Sequence, residues 1–225
     1  MTKEYLRSTN GRNEIATVEL TEPTSGKVIT IIGVMHVGPK PYWTKINNIL
    51  GRSEARGDAI HYEMVRKNKV QSKGFKGLKE YLFISSARRL SMLGEAAGWL
   101  SQRKMIDYKD AWKNHDTDVT TSLGTLSLRQ ALQSYVVSIV LGKVVVFIFQ
   151  NAPEMLFASM DQPIDGHESI LHGRNKVAVD AALAEASNVS MLWGAAHLDG
   201  MVELLEEVGY SQTNVEWVLH SKSEV

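Results

Sequence analysis

Short apolar runs alternate with helical stretches along most of the chain, and no other feature constrains its fold as much. Residues 16–20 (ATVEL) and 27–34 (KVITIIGV) read as two strands joined by the turn-rich EPTSG. Residues 58–65 (DAIHYEMV) and 188–193 (NVSMLW) read as interior strands, and 214–220 (NVEWVLH) as a last one. Helices are expected between them. Pro41–Arg52 carries Trp43, Ile46 and Leu50 on one stripe, and Leu78–Leu100 is helical in pattern although Gly94 and Gly98 interrupt it. Leu126 to Val140 follows, then an alanine-rich helix from Asp165 to Ala186, then His197 to Glu207, closed by Gly209. The stretch 101–125 is mixed and polar and receives no assignment. Strands separated by helices predict an α/β fold, one domain over residues 1–225, with a mixed, largely parallel central sheet covered by helices.

Composition narrows the function classes. The chain has 225 residues, with 25 Lys and Arg balanced by 25 Asp and Glu, so a strongly basic face for nucleic acid is not expected. It has no Cys, which removes disulfides, thiolate nucleophiles and Cys-ligated metal sites. Its first fifteen residues are polar, unlike a secretory signal. The longest apolar run, Tyr135 to Phe149, is broken by Ser138, Gly142 and Lys143 and is shorter than the roughly 20 residues of a membrane span. These features predict a cytoplasmic protein without a membrane span, and a homo-oligomer is allowed.

A repeated local pattern locates the chemistry. Residues 31–38 read IIGVMHVG and residues 192–200 read LWGAAHLDG, so an apolar strand twice runs into Gly-x-x-His. Gly33 and Gly194 let the backbone turn or approach a ligand as each strand ends. His36 and His197 then sit at the mouth of the sheet. His197 also opens a helix, where the positive end of the dipole disfavours imidazolium. Glu63, in IHYEMV, shares a strand face with His61. A carboxylate in such an apolar run is costly unless it is paired or binds a cation; an edge strand with Glu63 in water is the alternative. Arg174 and Asn175 lie on the alanine-rich helix, with Arg174 on a stripe formed by Ile170, Leu171, Val177, Ala178, Ala181 and Ala182. Its guanidinium either makes a buried ion pair, snorkels to the rim, or holds a carboxylate or oxyanion. His115, His167 and His220 have no chemical company in the sequence and are expected on the surface. His172 should face away from Arg174, and the Trp and Met residues should fill the core. Sequence signatures of the common zinc-protease helix, the serine-hydrolase elbow and the P-loop are absent.

Taken together, IIGVMHVG, the Tyr-Glu at 62–63, RNKVAVDAAL at 174–183 and LWGAAHLDGMVELLEEVGY at 192–210 resemble the TraB/PrgY/Tiki family, itself similar to the erythromycin-esterase/ChaN-like group. Residues 70–160 support the likeness only by length and helical character. Gly173 stands where that family usually has an acidic residue, and the membrane segments of several relatives are missing. The resemblance implies an erythromycin-esterase/ChaN-like fold and a divalent-metal-dependent hydrolase of the metalloprotease or pheromone-shutdown type. It points to Gly33, His36, Glu63, Arg174, Asn175, Gly194 and His197.

The leading expectation is a peptidase or amidase. In it His36, Glu63 and His197 hold Mn, Co or Zn, Glu63 has a catalytic part, Arg174 and Asn175 orient substrate and steady the oxyanion, and His61 supports the site. A metal-free esterase-like hydrolase with the same His and Glu residues is the first alternative. A non-catalytic peptide- or haem-binding module is the second.

Overall fold

The computed structural model describes residues 5–64, 73–96, 98–116, 127–140, 144, 146, 147 and 167–222. Its elements are β1 (Leu6–Thr9), β2 (Arg12–Thr21), β3 (Val28–Val34), β4 (Val37–Gly38), α1 (Lys40–Ala55), β5 (Ala59–Tyr62), α2 (Gly74–Ala96), β6 (Leu100–Ser101), α3 (Gln102–Met105) and β7 (Lys113–Asn114). They continue with α4 (Leu128–Val140), α5 (His167–Ala184), β8 (Val189–Gly194), a 3-10 turn (Ala195–His197), α6 (Leu198–Glu207) and β9 (Ser211–Lys222). The chain is α/β, as its alternation of runs predicts.

Among the described residues the main sheet has seven strands, in the order β1-β2-β3-β8-β5-β7 with β9 also paired to β2. β3, β8, β5 and β7 are mutually parallel, while β2 is antiparallel to β1, β3 and β9. Six strands therefore share one direction and β2 alone opposes them, so the sheet is mixed and largely parallel. Period-2 alternation divides the apolar residues between two faces. Ile29, Ile31, Val189, Met191 and Trp193 pack under α5 and α6 with Ala178, Ala182, Leu198 and Met201. Ile32, Val34, Ile60 and Leu192 pack on the other face under Tyr42, Trp43, Ile46 and Leu50 of α1. The stripe expected on α1 is the one that is buried.

Two features of the fold differ from the sequence reading. The helix expected up to Leu100 ends at Ala96, Leu100 and Ser101 form β6, and the unassigned stretch supplies α3 and β7, elements of two to four residues that are too short to have a period. On α5 the buried stripe is Asn175, Ala178, Val179 and Ala182. Val177 is 44 % exposed. Alanine fits either face, so it marks the direction of the stripe poorly, and the stripe is centred one residue later than Arg174. Most of the apolar run Tyr135 to Phe149 beyond α4 lies outside the described residues. No helix among the described residues is long and apolar enough to cross a membrane.

Candidate active site

Three neighbouring strands deliver the site. β3 and β8 are parallel neighbours with Gly33 opposite Trp193 and Val34 opposite Gly194. β5 flanks β8 on the other side with Tyr62 opposite Leu192, and the Glu63 amide continues the ladder to the Leu192 carbonyl at 3.0 Å. β5 is thus an interior strand, and the edge-strand alternative for Glu63 does not hold. After β3 the chain crosses to α1 on one face, and after β8 to α6 on the other. The carboxyl ends of such diverging neighbours leave a crevice. His36, His197 and Glu63 all issue into it, where a cleft of about 270 Å³ opens.

Glu63 is 8 % exposed and both of its oxygens are engaged. Oε2 accepts the Gly194 amide at 2.6 Å, Oε1 accepts a short hydrogen bond from Arg174 Nη2, and His197 Nε2 stands 3.5 Å from Oε1. Burial by itself would raise this carboxyl, but His197, His36 and Arg174 override it and hold it well below the usual carboxylate range. Arg174 in turn is gripped by Asp116, with Nε to Oδ1 at 2.9 Å and Nη2 to Oδ2 at 2.9 Å. Of the options open in the sequence, the buried ion pair is the one formed. Asp116 was not visible as its partner, because it follows a two-residue strand in the stretch without periodicity.

Both histidines are oriented from behind. His197, buried in the 3-10 turn, points Nδ1 at Asn175 Oδ1, 2.5 Å away. His36, exposed at the rim, points Nδ1 at Gln102 Oε1, 2.7 Å away. Gln102 is buried, donates its own amide to the His36 carbonyl at 2.8 Å, and donates Nε2 to the Tyr108 hydroxyl at 2.8 Å. With the amide oxygens accepting, each Nδ1 carries a ring hydrogen. Gln102 and Tyr108 lie 66 and 72 residues from His36 in sequence, and no spacing rule links them to it.

Gly194 is the floor of the site. A Cβ there would lie 3.0 Å from Glu63 Oε2, 3.4 Å from His36 Nε2 and 3.6 Å from His197 Cδ2. The three expected residues therefore converge on one small space that a side chain would fill. Gly33 serves otherwise: a Cβ there would strike the Ala16 carbonyl at 2.6 Å and Leu198 Cδ2 at 2.9 Å. It permits close packing of β3 and does not line the cleft. Among the described residues the rest of the wall is aliphatic, from Val34, Met35, Val37 and Ala195.

His61 does share the strand face of Glu63, but it lies below the cleft. It is fully buried, with Nε2 at 3.1 Å from Glu185 Oε1 and its ring 4.3 Å from that of His115. Among the described residues, the group of three His or acidic side chains whose ligand atoms all lie within 4.8 Å of one another is His61, His115 and Glu185. The expected trio His36, Glu63 and His197 is looser, and its carboxylate is already engaged by Arg174 and the Gly194 amide. Two surface assignments are corrected. His115 packs on His61, and His220 is buried, with Nε2 donating to the Val37 carbonyl at 2.9 Å and edge contacts to Tyr42 and Trp99. His172 is exposed, as expected, and the side chain of His167 lies outside the described residues. Trp43 and Trp193 are core residues, but Met92 is exposed.

No family model, curated protein or solved structure matches the chain.

Proposed function

We propose that the cleft is the active site of a metal-assisted hydrolase acting on a peptide or small amide, and that the chain is kin to the TraB/PrgY/Tiki proteins it resembles. One observation carries the reading: two imidazoles, each with Nδ1 tied to an amide oxygen, meet at the bare face of Gly194 beside an ionised Glu63. Metal-ligating histidines are held in this way, by an acceptor on the far ring nitrogen. The donor set of two imidazoles and one carboxylate suits Zn, Co or Mn, with His36, His197 and Glu63 as the residues that would hold it. A divalent cation bound there would polarise a carbonyl and acidify a water towards pH 7.

The chain's own residues account for the remainder. Arg174 keeps Glu63 ionised and fixed, and it lines a cleft that would hold a carbonyl oxygen or oxyanion. Asn175 acts through the His197 ring it orients, not on substrate directly. The aliphatic wall favours an apolar group next to the scissile bond. A cytoplasmic setting belongs to the same proposal.

A metal-free, esterase-like reading has one observation in its favour: His197 Nε2 stands 3.5 Å from Glu63 Oε1, a geometry suited to an acid–base pair. The test is hydrolysis of a peptide and ester panel followed by mass spectrometry, with added Mn²⁺, Co²⁺ or Zn²⁺ and with EDTA. Metal-dependent turnover that disappears in His36→Ala and His197→Ala, with melting curves intact, is expected. Turnover indifferent to EDTA selects the metal-free reading. Stoichiometric ligand binding without product selects a binding module, and unchanged rates in both variants refute the assignment of the cleft.

A further inference from the structure

We infer that His61, His115 and Glu185 form a second divalent-cation site, separate from the cleft and structural in role. The three residues come from β5, from the residue after β7 and from the residue after α5, so one ion would tie the sheet edge to the end of the helix. Their ligand atoms already lie within 4.8 Å of one another. The His61 Nε2 to Glu185 Oε1 separation of 3.1 Å is close to the roughly 3.3 Å expected between two donors that each sit 2.0–2.1 Å from a tetrahedral zinc. Two imidazoles and a carboxylate are borderline donors that suit zinc, and a water would complete a tetrahedral set.

Two independent features point the same way. His61 is fully buried, so packing fixes its ring with Nε2 towards Glu185 Oε1 and holds the donor pair in place. The second feature is a cation already in place. Lys113 Nζ sits 2.5 Å from Glu185 Oε1, and the Lys113 side chain is 50 % exposed. An exposed ammonium on a flexible stem is easily displaced into water, so Lys113 acts as the stand-in that an ion would replace.

Zinc titration of the full chain carrying His36→Ala and His197→Ala isolates this site from the cleft. One Zn²⁺ per chain, with a rise in melting temperature on binding, is expected. Adding His115→Ala or Glu185→Gln should weaken binding at least tenfold; the near-isosteric Glu185→Gln serves if His115→Ala does not fold. Adding Lys113→Met should tighten it about two- to fivefold, the range that an exposed ion pair commands. No zinc bound to the cleft-deleted protein, binding indifferent to His115→Ala and Glu185→Gln, or binding weakened by Lys113→Met would each overturn the site. The cleft reading stands or falls separately, on metal-dependent turnover in the wild-type chain.

Discussion

Replacing Gly194 with alanine sets the chemistry of the cleft against the stability of the sheet. The backbone at Gly194 has φ of −56° and ψ of 137°, which any L residue adopts, so the substitution carries no conformational strain. The new methyl would meet Glu63 Oε2 at 3.0 Å, a few tenths of an ångström too near. Such mild overpacking costs about 1 kcal/mol, and the lost freedom of the unfolded chain returns about 0.4–1 kcal/mol. The net change should fall within about 1 kcal/mol, or roughly 2–4 °C in melting temperature for a chain of this size. The same methyl would occupy the space shared by Glu63, His36 and His197, so any ion or water between them is expelled. Divalent-ion affinity measured by calorimetry should fall more than about tenfold and turnover with it, a loss of the kind seen when a metal site is disturbed. Gly33→Ala is the matched control. Its methyl would strike the Ala16 carbonyl, which cannot move without its sheet, so about 1–3 kcal/mol of stability is lost while the folded fraction keeps its ion affinity. A folded Gly194→Ala protein with wild-type ion affinity would refute the reasoning, as would a neutral Gly33→Ala.

Further outcomes follow from the groups behind the site. Gln102→Ala removes the acceptor at His36 Nδ1 and should lower ion affinity about 10- to 100-fold, whereas Gln102→Glu, which can only accept, should restore it; calorimetric titration of both variants decides. Asn175→Ala leaves a buried His197 N–H without its partner and should cost about 1–3 kcal/mol in urea unfolding, together with ion affinity. Arg174→Met removes the guanidinium shared by the buried carboxylates of Glu63 and Asp116, and should cost about 3–5 kcal/mol; a smaller loss would show that the ion pair is not closed in solution. The buried His220 is held down to about 4 by desolvation, against the opposing pull of the Val37 carbonyl. The unfolded chain therefore binds this proton at a higher pH than the native one. Stability is fully present above about pH 6.5 and falls by about 3 kcal/mol as the pH drops from 6.5 towards 4. Urea melts of His220→Phe across that window should show a shallower slope than wild type, and identical slopes would exclude His220 as the source.

Much of the fold and part of the site were legible in the residues. KVITIIGV and NVSMLW announce buried strands because both faces of an interior parallel strand are apolar, and the structure pairs them as β3 and β8. Gly-x-x-His after each marks a strand exit, and Glu63 stands out because a carboxylate in an apolar run demands a partner. Those signals are local: period, turn chemistry and the cost of burying charge act within a few residues of one another. Which groups meet is another matter. That Asp116 grips Arg174, that Gln102 and Asn175 set the rings of His36 and His197, and that His61 turns to His115 and Glu185 depend on strand order and on helices crossing the sheet. Even the two motif glycines, alike in sequence, part company in space: one lets two strands pack closely and the other keeps a cleft open. Local chemistry named the reactive residues, but only the packing of distant segments decided their partners, because a hydrogen bond or an ion pair depends on distance in space and not on separation along the chain.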